Sequence, residues 1–141
     1  MKNMSRRLAK TINNIDIAYL SHNDKQISDA LYCVLYALDD GKSHTQAEIC
    51  KEWLLPKTTV NSIIKKMETE GMILRKQSQA GREVYISLSP KGVDYARLHL
   101  DGIYKAEIAA LRKTLIKYGD EFIDILEYYG KNLKDAFNEN E

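Results

Sequence analysis

Proline occurs only twice among the 141 residues and glycine seven times. Nearly all of them stand where a helix should start or stop, which leaves long uninterrupted stretches for helix. Cysteine is scarcer still in what it can do. Cys33 and Cys50 make no disulfide framework and lie far from metal-ligand spacing. Both fall in apolar helical patterns, which suits small core residues. A redox-sensing thiol is the competing role, with Lys51 beside Cys50 as a cationic neighbour. No apolar run approaches the roughly 20 residues that cross a bilayer. The basic start MKNMSRRLAK is followed by no apolar segment of a secretory signal. The expected setting is therefore cytoplasmic, away from membranes. Catalytic groupings are missing too. His22, His44 and His99 are scattered, there is no glycine-rich phosphate loop, and no Cys/His cluster could hold a metal. Neither a catalytic residue nor a cofactor is expected.

The net charge is only +1, but it is unevenly spread. Residues 1–50 balance six basic against six acidic side chains. Residues 51–91 carry eight basic and four acidic, and residues 92–141 carry seven basic and ten acidic. A polyanion is drawn to the middle of the chain and repelled by its last third.

The length suits one domain with a real core. Residues 4–21 read as a helix, with Leu8, Ile12, Ile15 and Tyr19 on one stripe. Asn23 or Asp24 can cap a second helix carrying Ile27, Leu31, Val34, Leu35 and Leu38, with Gly41 as its C-cap. Thr45-Gln46-Ala47-Glu48 is a capping box, so a short helix runs from there through Ile49 and Trp53. Pro56 suits the first position of the next helix, whose buried stripe is Val60, Ile63, Ile64 and Met67 and which Gly71 stops. The period then changes from 3.6 to 2. MILRKQ and REVYISL read as strands joined by SQAG. Ser89 and Pro90 restart helix, and residues 90–118 and 120–137 form two helices parted at Gly119, with Asp120 as cap.

Two short helices and a tight turn make a helix-turn-helix, and the hairpin after them makes it a winged helix. The expected class is mainly α. The buried stripe of the second short helix leaves Lys57, Thr58, Asn61, Ser62 and Lys65 facing outward. All five can donate hydrogen bonds, and no acid joins them until Glu68. A solvated helix usually carries acids in its first turn, where the dipole favours them. That donor face suits the major groove of duplex DNA. A winged helix that only binds other proteins is the alternative.

From helix-turn-helix through wing, HTQAEICKEWLLPKTTVNSIIKKMETEGMILRKQSQAGREVYISLSPKG resembles the MarR (multiple-antibiotic-resistance regulator) family of bacterial transcription factors. The matching positions are Thr45, Gln46, Glu48, Thr59, Val60, Gly71, Arg75, Arg82, Leu88, Ser89 and Gly92. The resemblance implies a regulator, expected to be a repressor, that acts as a homodimer on a near-palindromic operator. It implies a single domain over residues 1–141. Residues 4–22 and 90–137 would be the dimerisation helices, and residues 24–89 the winged helix-turn-helix lobe. Leu8, Ile12, Ile15, Leu111, Leu115, Ile123 and Leu126 supply apolar positions for the interface. The recognition helix maps onto Lys57, Thr58, Thr59, Asn61, Ser62 and Lys65, preceded by Thr45 and Gln46. Arg82 is the minor-groove arginine, with Lys76, Ser78 and Gln79 as phosphate or sugar contacts. Family members also release DNA on binding a small aromatic or anionic effector, for which Tyr19, His22, Tyr32 and Tyr36 are candidates, or on thiol oxidation. Two positions depart from the family. Ala80 replaces the acid that commonly pairs with the arginine after the recognition helix, leaving Glu83 as a possible partner for Arg75. Ser62 stands where many relatives have arginine.

Overall fold

The computed structural model describes residues 1–22 and 26–140. In chain order the described elements are α1 (Lys2–His22), α2 (Asp29–Leu38), α3 (Gln46–Trp53), α4 (Lys57–Thr69), β1 (Ile73–Gln77), β2 (Val84–Leu88), α5 (Pro90–Tyr118) and α6 (Glu121–Asn138). This is the mainly helical, winged order that the periodicity predicts. Helix starts differ in detail. Asn23 and Asp24 lie outside the described residues. The cap of α2 is Ser28, whose hydroxyl accepts from the Leu31 N–H at 3.2 Å, so Ile27 precedes the helix. Gly41 is likewise not the C-cap. Asp39 holds that place, and Gly41 turns the chain two residues later with φ +74°. Pro56 is the N-cap of α4 rather than its first helical residue, since its ψ of 139° is extended.

The chain divides into two compact units, Met1–Ile103 and Tyr104–Glu141. The core of the first consists of Val34, Leu35 and Leu38 on α2, Ile49 on α3, Val60 and Ile64 on α4, Ile86 on β2 and Leu100 on α5. Each is almost wholly buried, and such burial contributes roughly 1.5–3 kcal/mol per side chain. Ile63, expected in the same stripe, is half-buried. Helix α1 adds no buried residue; Met4, Ile12, Ile15 and Ile17 lie exposed along it.

In the second unit Gly119, at φ +72°, ends α5 and donates its N–H to the Leu115 carbonyl at 3.0 Å. Asp120 holds the N-cap position of α6, but its side chain makes no capping bond there. Helix α6 also buries nothing, and Ile123, Leu126 and Phe137 are exposed on it.

The end of α4 is the most tightly determined turn. Gly71, at φ +76°, donates to the Glu68 carbonyl at 3.0 Å, and Met72 donates to the Met67 carbonyl at 2.8 Å. These two bonds are a Schellman motif, which needs the left-handed residue at Gly71. Ser89 joins this turn to the start of α5. Its N–H donates to the Met72 carbonyl at 2.9 Å, and its hydroxyl donates to the Gly71 carbonyl at 2.6 Å while accepting from the Gly92 N–H at 3.1 Å. A Cβ at Gly92 would lie 2.2 Å from the Met72 carbonyl oxygen. Backbone atoms cannot yield that distance cheaply. Gly92→Ala is expected to lower stability by roughly 1–3 kcal/mol in urea unfolding. Gly102→Ala, on the same helix with open space around it, should raise stability by up to about 1 kcal/mol through helix propensity.

Candidate nucleic-acid interface

The candidate surface rests on how α3 begins. Thr45 Oγ1 accepts from the Glu48 N–H at 3.1 Å, and the Glu48 carboxylate accepts from the Thr45 N–H at 3.0 Å. The expected capping box is therefore complete. His44, just before it, exchanges backbone bonds with Ile86: its N–H donates at 2.9 Å and its carbonyl accepts at 2.8 Å. This bridge ties β2 to the turn that enters α3. The His44 ring packs against acids, with Nε2 2.9 Å from Asp40 Oδ2 and Nδ1 3.9 Å from Glu48 Oε2. Burial by itself would raise the Asp40 carboxyl. The His44 hydrogen bond, the Lys42 N–H at 2.9 Å and the positive charge of both residues outweigh it and hold the group below the usual range. His44 is thus engaged in local hydrogen bonds through both its backbone and its ring.

Between α3 and α4, Leu54 adopts the left-handed region at φ 51° and is 76% exposed. Leucine seldom takes that conformation, which glycine and asparagine supply more cheaply. Helical periodicity gives no hint of it.

On α4 the buried stripe of Val60, Ile64 and Met67 faces α2, α3 and β1. Lys57, Thr58, Ser62 and Lys65 are exposed on the other side, and Thr59 and Asn61 are half-buried at its margins. No acid lies in the first turn. The first-turn N–H groups of α4 also point toward this end, with no side-chain cap upon them. Thr45 and Gln46 are half-buried at the start of α3. The Thr45 hydroxyl already serves the capping box.

The wing pairs β1 with β2 antiparallel, from Ile73 opposite Leu88 to Gln77 opposite Val84. Its tip is closed by its own bonds. The Ser78 N–H donates to the Glu83 carbonyl at 2.8 Å, the Gly81 N–H donates to the Ser78 carbonyl at 2.9 Å, and Gln77 Nε2 donates to the Gly81 carbonyl at 2.8 Å. Gly81 has φ +79°, a turn position that L side chains disfavour. Arg82, Gln79 and Lys76 are exposed and Ser78 is half-buried. Glu83 does not pair with Arg75. Its carboxylate accepts from the Tyr85 hydroxyl at 2.8 Å. Arg75 instead donates from Nε to Glu68, in the last turn of α4. That hydrogen bond, with the guanidinium charge, holds the Glu68 carboxyl below the usual range and raises Arg75 in turn.

The four effector candidates are dispersed. Tyr32 is buried, and its hydroxyl donates to the His99 carbonyl at 3.3 Å. Tyr36 packs on Trp53 with ring centroids 5.8 Å apart. Tyr19 and His22 are exposed on α1. None of the four lines the cleft of about 360 Å³ between Leu38, Lys42, Ser87 and Arg97. Both cysteines are half-buried, and burial together with Asp29 pushes the Cys33 thiol above its ordinary value. No metal-binding group of His, Cys, Asp or Glu forms among the described residues, and no described helix is long and apolar enough to cross a membrane.

Comparison with known proteins centres on the same elements. The MarR family model matches residues 25–83. No curated protein matches the sequence. Among solved structures, NMB1585, a MarR family regulator from Neisseria meningitidis, is 23% identical, with a TM-score of 0.67 over 99% of this chain and 97% of that one. The adhesin competence repressor AdcR from Streptococcus pyogenes is 14% identical, with a TM-score of 0.64 over 94% and 96%. FabT of Streptococcus pneumoniae, solved in complex with DNA, is 19% identical, with a TM-score of 0.62 over 99% of both chains. At such identities these likenesses show the fold. The family match lies on the helix-turn-helix and most of the wing, so in that stretch the chain is similar to the MarR family of winged-helix regulators.

Proposed function

We propose that this protein is a homodimeric repressor that binds a near-palindromic site in double-stranded DNA, with α4 in the major groove and the wing in the minor groove. The observation that carries the reading is the outward face of α4. Lys57, Thr58, Asn61, Ser62 and Lys65 can all donate hydrogen bonds, and no carboxylate lies among them. Asn61 can pair bidentately with adenine, and the lysines can neutralise phosphates. The exposed Arg82 at the wing tip is the matching minor-groove group. FabT, of the same fold, was solved on DNA, and AdcR is described as a repressor; both descriptions agree with this reading.

The homodimer is supported by apolar surface without cover in a single chain. Ile12 and Ile15 on α1, Leu111 and Leu115 on α5, and Ile123 and Leu126 on α6 are each more than a third exposed, and Leu8 is half-buried. Patches of that kind mark an interaction surface. A two-fold dimer then presents two winged helices to two half-sites. The effector part of the expectation has less behind it, because Tyr32 and Tyr36 are engaged in packing.

Duplex binding should weaken steeply as salt rises, and Lys57→Ala should reduce the slope of log affinity against log salt by about one. Asn61→Ala should cost roughly 1–3 kcal/mol on the preferred duplex, with little change on a scrambled one. Gel retardation with both duplexes measures each effect, and an absence of salt-dependent binding would favour a protein-interaction module. Light scattering should give twice the chain mass, and Leu126→Glu should shift it toward the monomer.

A further inference from the structure

Above the base closed by Met72 and Ser89, the hairpin carries one tie on each strand. On β2, Ile86 exchanges backbone bonds with His44 at the entry to α3. On β1, Arg75 reaches back to Glu68 in the last turn of α4. The tip bonds of Ser78, Gly81 and Gln77 keep the hairpin intact internally but do not set its angle to α4. Glu68 is also the first acid along the outward run of α4, where an unpaired carboxylate would repel phosphate. Both side chains are more than a third exposed, so the pair adds little to global stability. Its geometry matters more than its energy, because it joins the two elements expected to enter different grooves.

We propose that Glu68 is a positioning residue for DNA recognition: by holding Arg75 it fixes the angle between α4 and the wing, so that the α4 donors and Arg82 engage one duplex together. The proposal rests on the DNA-binding reading above. It predicts an effect opposite in sign to simple electrostatics. Removing a negative charge from a DNA-facing helix should tighten binding, whereas losing the tie should weaken specific binding.

The probes are a duplex that the unmodified protein selects from a randomised pool and a scrambled duplex of equal length. Glu68→Gln is expected to bind the selected duplex about tenfold more weakly, within the range of coupling between paired groups, and the scrambled duplex as well as before or better. Arg75→Lys keeps the charge, changes the geometry and should lose a similar factor. The double substitution Glu68→Gln with Arg75→Lys should be little worse than either alone. Thermal melting of each variant separates loss of fold from loss of position, and if Glu68→Gln melts early the Arg75→Lys result decides. Tighter or unchanged binding of the selected duplex by folded Glu68→Gln, or additive losses in the double variant, would overturn the positioning role while leaving DNA binding intact. Failure of the unmodified protein to select any duplex would instead overturn the DNA-binding reading itself.

Discussion

The carbonyl groups at the end of α4 govern much of the architecture. A helix that stops leaves its last carbonyls without partners, and burying them unpaired would cost more than a net hydrogen bond contributes. Here Gly71 and Met72 turn back on α4, and Ser89 then takes the carbonyls that the turn itself exposes. One serine thereby closes the end of α4, the base of the hairpin and the first turn of α5. The close approach this requires explains why residue 92 carries no side chain. Core packing holds the same elements from beneath, through Val60, Ile64, Ile86 and Leu100.

Charge is distributed to match that geometry. The excess of cations over residues 51–91 falls on α4, the hairpin and the start of α5. Two of the four acids within this stretch are occupied by specific partners. Glu68 holds Arg75 and Glu83 holds the Tyr85 hydroxyl. Neutralising or engaging the acids of a polyanion-facing surface lowers repulsion without requiring a large net charge.

Much of this was legible in the sequence, and the rest fails for physical reasons. Long periodic stretches declared α1, α5 and α6, and the capping box declared the start of α3, because those signals are local. The strands were legible through their change of period. The cap of α2 was missed because Ser28 competes with other polar residues in SHNDKQIS, and sequence pattern does not say which one the core will select. The left-handed Leu54 was missed because it closes α3 from the C-cap position, where helical periodicity carries no information on backbone sign and the residue type suggests the opposite. Arg75 was read correctly as needing an acid, but the acid lies across a turn in α4 rather than in the wing. Pairings between elements are the part that one-dimensional pattern carries least. The His44 bridge to Ile86 is another example, since it joins residues far apart in the chain.

That bridge bears on how the protein reaches its fold. Most hydrogen bonds in this chain close within a helix or a hairpin, so they can form as soon as their own segment collapses. The His44–Ile86 pair cannot. It closes a loop that contains α3, α4 and β1, and its loop-closure entropy must be met before its two bonds return anything. The bridge therefore depends on the hairpin and the strand-like turn ahead of α3 being brought together, and no single segment can form it alone.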